Sequence, residues 1–588
     1  MLHLTLQERL RAAFGKAFAD VDPGTVTVRP CSDARFGDYQ CVSIMPLAKQ
    51  LKTKPRQIAT SVLEQLETDD LCEKVEVAGP GFINFHVKTA AIEAVLKAAA
   101  DGEHNFYSQS VDPRTIVIDF SSPNVAKPMH VGHIRSTILG DCLARLFRLL
   151  GHRVVTDNHI GDWGTQFGML LFGWKNELNQ ADLETDPIAE LERTYKLVNV
   201  RCKKDEEVLE ACRQELVKLQ GGDEENLGIW HRMIELSQTQ FDAIYSRLDI
   251  KFDETLGESF YNEQLPGIVE ELVGNGLASE SQGAMCVFSG KKMAEKVDPF
   301  LVHRDGEWQD NPALIRKKDG GFNYTTTDLA TLQHRLTTWN PAEVLYVTDG
   351  RQQLHFRQLF DVFGRWHPEA EMKLAHVWFG SILGDDGKPF KTRSGDTVKL
   401  ADLLNEAEER ALAIVDEKNP DLPADQKNEI ARIVGIGAVK YADLLPNRQS
   451  DYVFSWDKML SLQGNTAVYL LYAYTRVRSI FRKAAGKGFS TEIRSDALNL
   501  EAESEIALAK KLMEFGVVLE QVGEDYRPNL LCNYLFETAG CYSQFFENCQ
   551  VVQDDEAVRN SRMVLCELTA RVLKAGLGVL GIETTEVM

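Results

Sequence analysis

The sequence predicts a multidomain chain centred on an α/β domain with a parallel sheet. A small α+β domain precedes it, a helical insertion interrupts it, and an all-α helical bundle follows. Three observations carry that prediction. At 588 residues the chain exceeds what one hydrophobic core supports, and the length suggests roughly four domains. The stretch 115–151 reads as strand, broken turn and long helix leading into a second apolar strand, which is one βαβ unit. After Leu444 the pattern is almost wholly helical to Met588.

Ile116, Val117 and Ile118 form a short β-branched run of the kind found in buried parallel strands, so a strand is expected to end near Phe120. Ser121, Ser122, Pro123 and Asn124 break it. From His133 onward, Ile134, Ile138, Leu139, Cys142, Leu143 and Leu146 recur at helical spacing. Gly151 supplies a left-handed helix stop, and Val154-Val155-Thr156 begins the next strand. The turn before the helix carries His130-Val131-Gly132-His133. A helix N-terminus offers N–H groups and a positive dipole end to a phosphate. Two imidazoles beside it can donate hydrogen bonds to phosphoryl oxygens, and Gly132 lets a flat base approach the backbone. At a strand-to-helix junction this arrangement is a strong signal for nucleotide chemistry.

The strand and turn resemble the HIGH signature of class I aminoacyl-tRNA synthetases, and the string 121–133, SSPNVAKPMHVGH, is similar to that of the arginyl-tRNA synthetases. The resemblance extends along the whole chain and implies a bacterial-type member with a Rossmann-like catalytic domain. It implies ATP-dependent ligation of L-arginine to tRNA(Arg) through arginyl-adenylate, releasing AMP and diphosphate. Mg2+ would arrive with ATP and need no dedicated protein site. It also implies a cytoplasmic monomer that needs bound tRNA before it activates arginine. Two rival readings stand beside it: another class I nucleotidyl-transferring enzyme, or a non-catalytic tRNA-binding paralogue.

Composition sets bounds on these readings. With 44% hydrophobic and 26% charged residues the chain is an ordinary globular one, and no run approaches the roughly 18 to 20 apolar residues of a membrane span. Eleven cysteines lie scattered without a Cys-x-x-Cys pair, which argues for reduced thiols in a cytosolic compartment and against a zinc site. The amphipathic opening segment is expected to be the first helix of the fold. A net charge of −22 means that RNA must be met by a local basic patch. No DNA partner is indicated.

Residues 1–105 read as the small α+β domain, with strands at 24–30, 75–77 and 82–87 and a Gly79-Pro80-Gly81 turn that makes the last two a hairpin or a corner. The resemblance makes this domain a contact for the tRNA elbow, with Phe36 and Tyr39 as candidate contacts, although aromatics beside a glycine turn often pack. Segments 106–175 and 321–400 are assigned to the catalytic domain. Its loop 157–168, with three glycines beyond a strand end, is expected to rim the substrate crevice. The charged stretch 176–320 is expected to be a helical insertion.

Tyr324 and Asp328 lie four apart and share a face if the segment is helical; read without the resemblance, Asp328 is equally an N-cap or a ligand. The run 344–347 feeds a polar loop containing Gln352. By the resemblance, Asp119, Asn124, Tyr324, Asp328 and Gln352 match arginine-binding positions. His130, Gly132, His133 and Lys391 match ATP-binding positions. The segment Lys388-Pro389-Phe390-Lys391-Thr392-Arg393-Ser394-Gly395 occupies the place of the mobile KMSKS loop, but Thr392 stands where the second lysine belongs. Lys127, Lys391 and Arg393 are therefore the candidates for neutralising pyrophosphate charge, alongside the catalytic His130 and His133. Residues 401–455 read as stem helices. Residues 456–588 read as a helical bundle whose interleaved basic and aromatic residues can bind single-stranded RNA, with Tyr469, Arg476 and Arg478 as candidate tRNA contacts and about half of the aromatics expected in the core; the resemblance implies that it reads the anticodon loop. No editing domain is apparent.

Overall fold

The computed structural model describes residues 1–19, 22–31, 33–384, 386–390 and 398–588. The chain gathers into two compact units. One contains Met1–Gln109, Ile414–Gly437 and Met459–Met588; the other contains Ser110–Ala413 and Ala438–Lys458.

The second unit is built on four parallel strands in the order Lys373–His376, Glu343–Tyr346, Thr115–Asp119, Arg153–Asp157. Ile116, Val117, Ile118, Val344 and Leu345 are fully buried, as expected of strands covered on both faces. The Val131–Leu149 helix crosses from the Thr115–Asp119 strand to its neighbour and stops before Gly151, whose φ of 85° is the left-handed stop expected there. It begins two residues earlier than the apolar spacing predicts, because His130 caps it. After Thr115–Asp119 the chain turns first to one side of the sheet and later returns on the other. That reversal opens a crevice at the carboxyl ends of Thr115–Asp119 and Glu343–Tyr346.

The insertion differs from expectation. Residues 176–320 begin with helices, among them Pro187–Cys202, Glu206–Gln220, Glu224–Arg247 and Leu265–Gly274, but five strands fill most of 278–316. Ala313–Arg316, Ala284–Val287 and Ala278–Ser281 form one antiparallel sheet, and Leu301–Arg304 pairs with Glu307–Asp310. Each strand is four residues long, too short to show alternation among so many charges. The turns were the available signal: Gln282-Gly283 and Asp305-Gly306 all have positive φ, the backbone that tight hairpins require.

The first unit combines a four-stranded antiparallel sheet, ordered Val28–Pro30, Tyr39–Cys41, Phe82–Val87, Cys72–Ala78, with the helices of 467–579. Of the two alternatives at Gly79-Pro80-Gly81, the turn makes a hairpin, joining two antiparallel strands. Thr466 caps the Ala467–Gly486 helix by accepting the Tyr469 N–H at 3.1 Å. Chain ends far apart in sequence meet inside this unit. Lys510 pairs with Asp38 at 2.6 Å, the Leu500 N–H donates to Glu93 at 2.8 Å, and Arg571 donates to the Ala99 carbonyl at 3.0 Å. Among the described residues no helix is long and apolar enough to cross a membrane.

Candidate active site

The loop between Asp119 and the Val131–Leu149 helix is strained. Ser121, Ser122 and Ala126 have φ of 73°, 47° and 61°, a left-handed region that costs roughly 1–2 kcal/mol for a residue with a Cβ. Hydrogen bonds hold each of them. Ser121 N–H donates to Ser136 Oγ at 2.8 Å, Ser122 N–H to Asn158 Oδ1 at 3.1 Å, and Ala126 N–H to Ser237 Oγ at 2.9 Å. Ser121 Oγ also lies 2.8 Å from the Tyr245 hydroxyl. Backbone strain fixed by this many contacts is typical of loops that hold a ligand.

The two imidazoles follow. His130 Nδ1 accepts the Gly132 N–H at 3.0 Å, and His133 Nδ1 accepts the His130 N–H at 3.1 Å. The ring centroids are 4.0 Å apart. Burial, with the charge of Lys127 as a smaller influence, lowers the His130 pKa, and burial and the neighbouring imidazole push His133 down to about 3. Both rings are therefore neutral near pH 7. With Nδ1 committed as acceptor, the ring proton must sit on Nε2. Each imidazole is thus preset as an Nε2–H donor beside a helix N-terminus, which suits an anion that gains charge.

Asp119, Asn124, Tyr324, Asp328 and Gln352 all line one cavity of about 490 Å³. The structure thus brings together five residues drawn from three separate segments. Tyr324 is 67% exposed at the mouth, whereas Asp119 is buried. Gly161 lies against Asn124, where a Cβ would come within 2.5 Å of the Asn124 Oδ1. Asp328 Oδ2 lies 2.6 Å from His355 Nε2. Burial lowers the His355 pKa, but the bond and charge of Asp328 outweigh it and leave the ring raised overall. Among the wall residues that sequence reasoning did not single out are His159, Glu258 and His355. His159 lies in the loop that the sequence marks as crevice rim, and His355 in the first turn of the Gln353–Trp366 helix, just past the polar loop that carries Gln352, while Glu258 had no local signal. Burial, reinforced by the charges of Asp328 and Asp162, pushes Glu258 up to about 7. A carboxyl-rich cavity with tyrosine and amide partners suits a planar guanidinium.

Lys127 is half-buried, its ammonium 5.3 Å from the centre of the Tyr195 ring. The predicted lid begins on a tight turn in which Gly384 N–H donates to the Lys388 carbonyl at 2.8 Å. Phe390 then stacks on Phe454 with centroids 4.6 Å apart. Lys391 and Arg393, with Thr392 between them, lie outside the described residues.

The predicted tRNA contacts divide. Phe36 is 49% exposed, and Arg476 is half-buried against the Tyr472 and Phe546 rings. Tyr39 departs from its expected role: it faces inward from its strand and is buried, so its ring is not available for stacking. Arg478 is engaged by Glu567 at 3.2 Å and Glu586 at 3.0 Å, and Tyr469 packs against Phe536 with centroids 5.5 Å apart. Helical spacing alone does not distinguish such inward partners from a free basic face.

Comparison with known proteins shows the family. The family model described as tRNA synthetases class I (R), catalytic domain, matches residues 95–456. The DALR anticodon binding domain matches 470–588, and the arginyl tRNA synthetase N terminal domain matches 4–87. The chain is 45% identical to the arginine–tRNA ligase of Erwinia tasmaniensis over 579 residues, covering 97% of this chain and 96% of the relative. It is 46% identical over 596 residues to the arginine–tRNA ligase of Nostoc punctiforme, covering 100% and 99%. The crystal structure of the Plasmodium falciparum arginyl-tRNA synthetase superposes with a TM-score of 0.82 at 29% identity, covering 100% of this chain and 99% of that one.

Proposed function

Because the chain belongs to the arginyl-tRNA synthetases of class I, we propose that it ligates L-arginine to tRNA(Arg) at the expense of ATP through the residues described above. The observation that carries the residue assignment is the single cavity shared by Asp119, Asn124, Tyr324, Asp328 and Gln352, reached through the loop that leads to His130 and His133.

In the first step the arginine carboxylate attacks the ATP α-phosphate in line and diphosphate leaves. The Nε2–H groups of His130 and His133 donate to the oxygens that gain charge, and the Gly132 backbone gives the nucleotide room. The described residues hold no group of three or more His, Cys, Asp or Glu side chains suited to a metal ion. Mg2+ would come with the triphosphate and supply charge neutralisation there. Lys127, Lys391 and Arg393 take the place of the missing lysine at Thr392. In the second step the terminal ribose 2′-hydroxyl of the tRNA takes the arginyl group, and AMP leaves. At the far end of the cavity Asp328, Tyr324 and Glu258 receive the guanidinium. A site whose buried polar groups need that partner rejects smaller amino acids strongly, so no editing step is required. Phe36 and Arg476 are the tRNA contacts of the first unit. The protein works in the cytoplasm as a monomer.

The test is ATP-dependent charging with arginine and tRNA, scored for wild type, His130→Ala and His133→Ala. Losses of about a hundredfold or more in adenylate formation are expected for each variant, and losses below threefold overturn the role of the imidazoles. Pyrophosphate exchange is expected only with tRNA present, and full exchange without it contradicts that expectation. Charging that fails with arginine, or proceeds without ATP, returns the chain to one of its two rival readings. Light scattering checks the monomer.

A further inference from the structure

The carboxyl edge of the central sheet holds a second guanidinium, one that belongs to the chain itself. Arg335, on the Tyr324–Trp339 helix, is fully buried. Its Nη2 donates to Asp119 Oδ2 and to Asp157 Oδ2, both at 2.6 Å, and its cation lies 5.1 Å from the centre of the Tyr346 ring. Among the described residues its Nε and Nη1 have no hydrogen-bond partner. Asp119, Asp157 and Tyr346 stand at one level of three adjacent strands, with Asp119 in register with both of the others. Asp119 and Tyr346 also line the cavity. The cluster therefore forms part of the cavity floor.

Its charges do not balance. Two carboxylates face one guanidinium, which leaves one negative charge in a place where unpaired charge is costly. Burial raises the Asp157 pKa, and the neighbouring Asp119 adds to that. Arg335 occupies Oδ2 of Asp119, while among the described residues Oδ1 accepts only the Ser122 hydroxyl at 3.1 Å. A carboxylate oxygen can accept a second hydrogen bond. The reacting carboxylate of the substrate must reach the imidazoles, and the loop that carries them starts at the residue after Asp119. The amino-acid end of the ligand therefore lies at the Asp119 side of the cavity, with its guanidinium toward Asp328 and Glu258.

We propose that Arg335 is a positioning residue: with Asp157 it clamps one oxygen of Asp119 and aims the other at the α-ammonium of substrate arginine, whose charge completes the cluster. This rests on the arginine-binding reading of the cavity. Arg335 touches no substrate. Its effect passes through Asp119, so it discriminates between ligands that carry an ammonium at that end and ligands that do not.

Two arginine analogues test this as competitive inhibitors of charging. Agmatine keeps the guanidinium and the ammonium, whereas 5-guanidinopentanoate keeps the guanidinium and the carboxylate. Wild type is expected to bind agmatine more tightly. In Arg335→Lys the ammonium rides on a shorter side chain and cannot reach the place of Nη2, from which both carboxylates are held. Agmatine should weaken by about tenfold or more, as for loss of a charge-assisted hydrogen bond, and the KM for arginine should rise by a similar factor. The 5-guanidinopentanoate constant should stay within twofold. Asp157→Asn, nearly isosteric, removes a negative charge and should weaken agmatine alone by several-fold; it carries the test if the lysine variant fails to fold. Parallel losses for both analogues, no loss for either, or a wild type that does not prefer agmatine overturn the proposal. Asp328→Asn separates the underlying reading: if it leaves both analogues unaffected, arginine does not bind in this cavity at all.

Discussion

His133 and Glu258 are the side chains whose protonation the surrounding protein changes in ways an assay can follow. An unfolded imidazole titrates near 6.5, whereas folded His133 does so at about 3. The unfolded chain therefore takes up the proton first. The stability contributed by the neutral ring is fully present above pH 6.5 and is lost as pH falls toward 3. Urea melts across that window should show a shallower decline for His133→Asn than for wild type. Glu258 runs the opposite way. Its carboxyl is raised to about 7, so it is largely protonated at pH 6 and ionises by pH 8, and a guanidinium binds the ionised form better. The KM for arginine should fall several-fold from pH 6 to 8, and Glu258→Gln should flatten that profile. A third prediction concerns Lys127, whose replacement by alanine should slow single-turnover activation about a hundredfold, the scale of one lost charge stabiliser; a slowing below threefold removes it from the mechanism. His130, Gly132 and His133 could be read from sequence because phosphate chemistry needs them next to one another at a helix start. Glu258 could not, because tertiary folding alone brings it to a cavity whose other walls lie far along the chain.

At the scale of elements, legibility followed length and packing. The Val131–Leu149 helix spans about five turns and shows its apolar face plainly, and the Thr115–Asp119 strand is β-branched in its first four residues. The strands of 278–316, four residues each, lie among charges, and only their Gly-containing turns mark them. Tyr39 shows the complementary limit, since a strand three residues long does not reveal which face will be covered. The strained loop ahead of the imidazoles yields a prediction of its own. A Cβ on Gly161 would come within 2.5 Å of the Asn124 Oδ1, the free end of a side chain that can swing away. Gly161→Ala should therefore fold with a melting temperature within a few degrees of wild type. Its KM for arginine should rise roughly tenfold as Asn124 leaves the cavity wall, the cost of about one hydrogen bond. An unchanged KM would show that Asn124 does not touch the ligand.

Over the whole molecule the excess of 22 negative charges sets the conditions for meeting RNA. Phosphate contacts exchange protein cations for counterions, so the KM for tRNA should climb steeply between 50 and 200 mM salt. The KM for arginine, held in a part-enclosed cavity, should move less than twofold, and steady-state charging at varied salt reads both. The larger plan has a bearing on biogenesis. Met1–Gln109 shares its compact unit with Met459–Met588, and the Thr115–Asp119 strand pairs with Glu343–Tyr346 on one side. A ribosome adding about 5–20 residues per second exposes the amino-terminal sheet tens of seconds before the helices that will cover it exist. During that interval the nascent polypeptide displays apolar surface that has nowhere to go, which makes it a natural client for chaperones. A message truncated before codon 343 yields a product that has lost half of its central sheet.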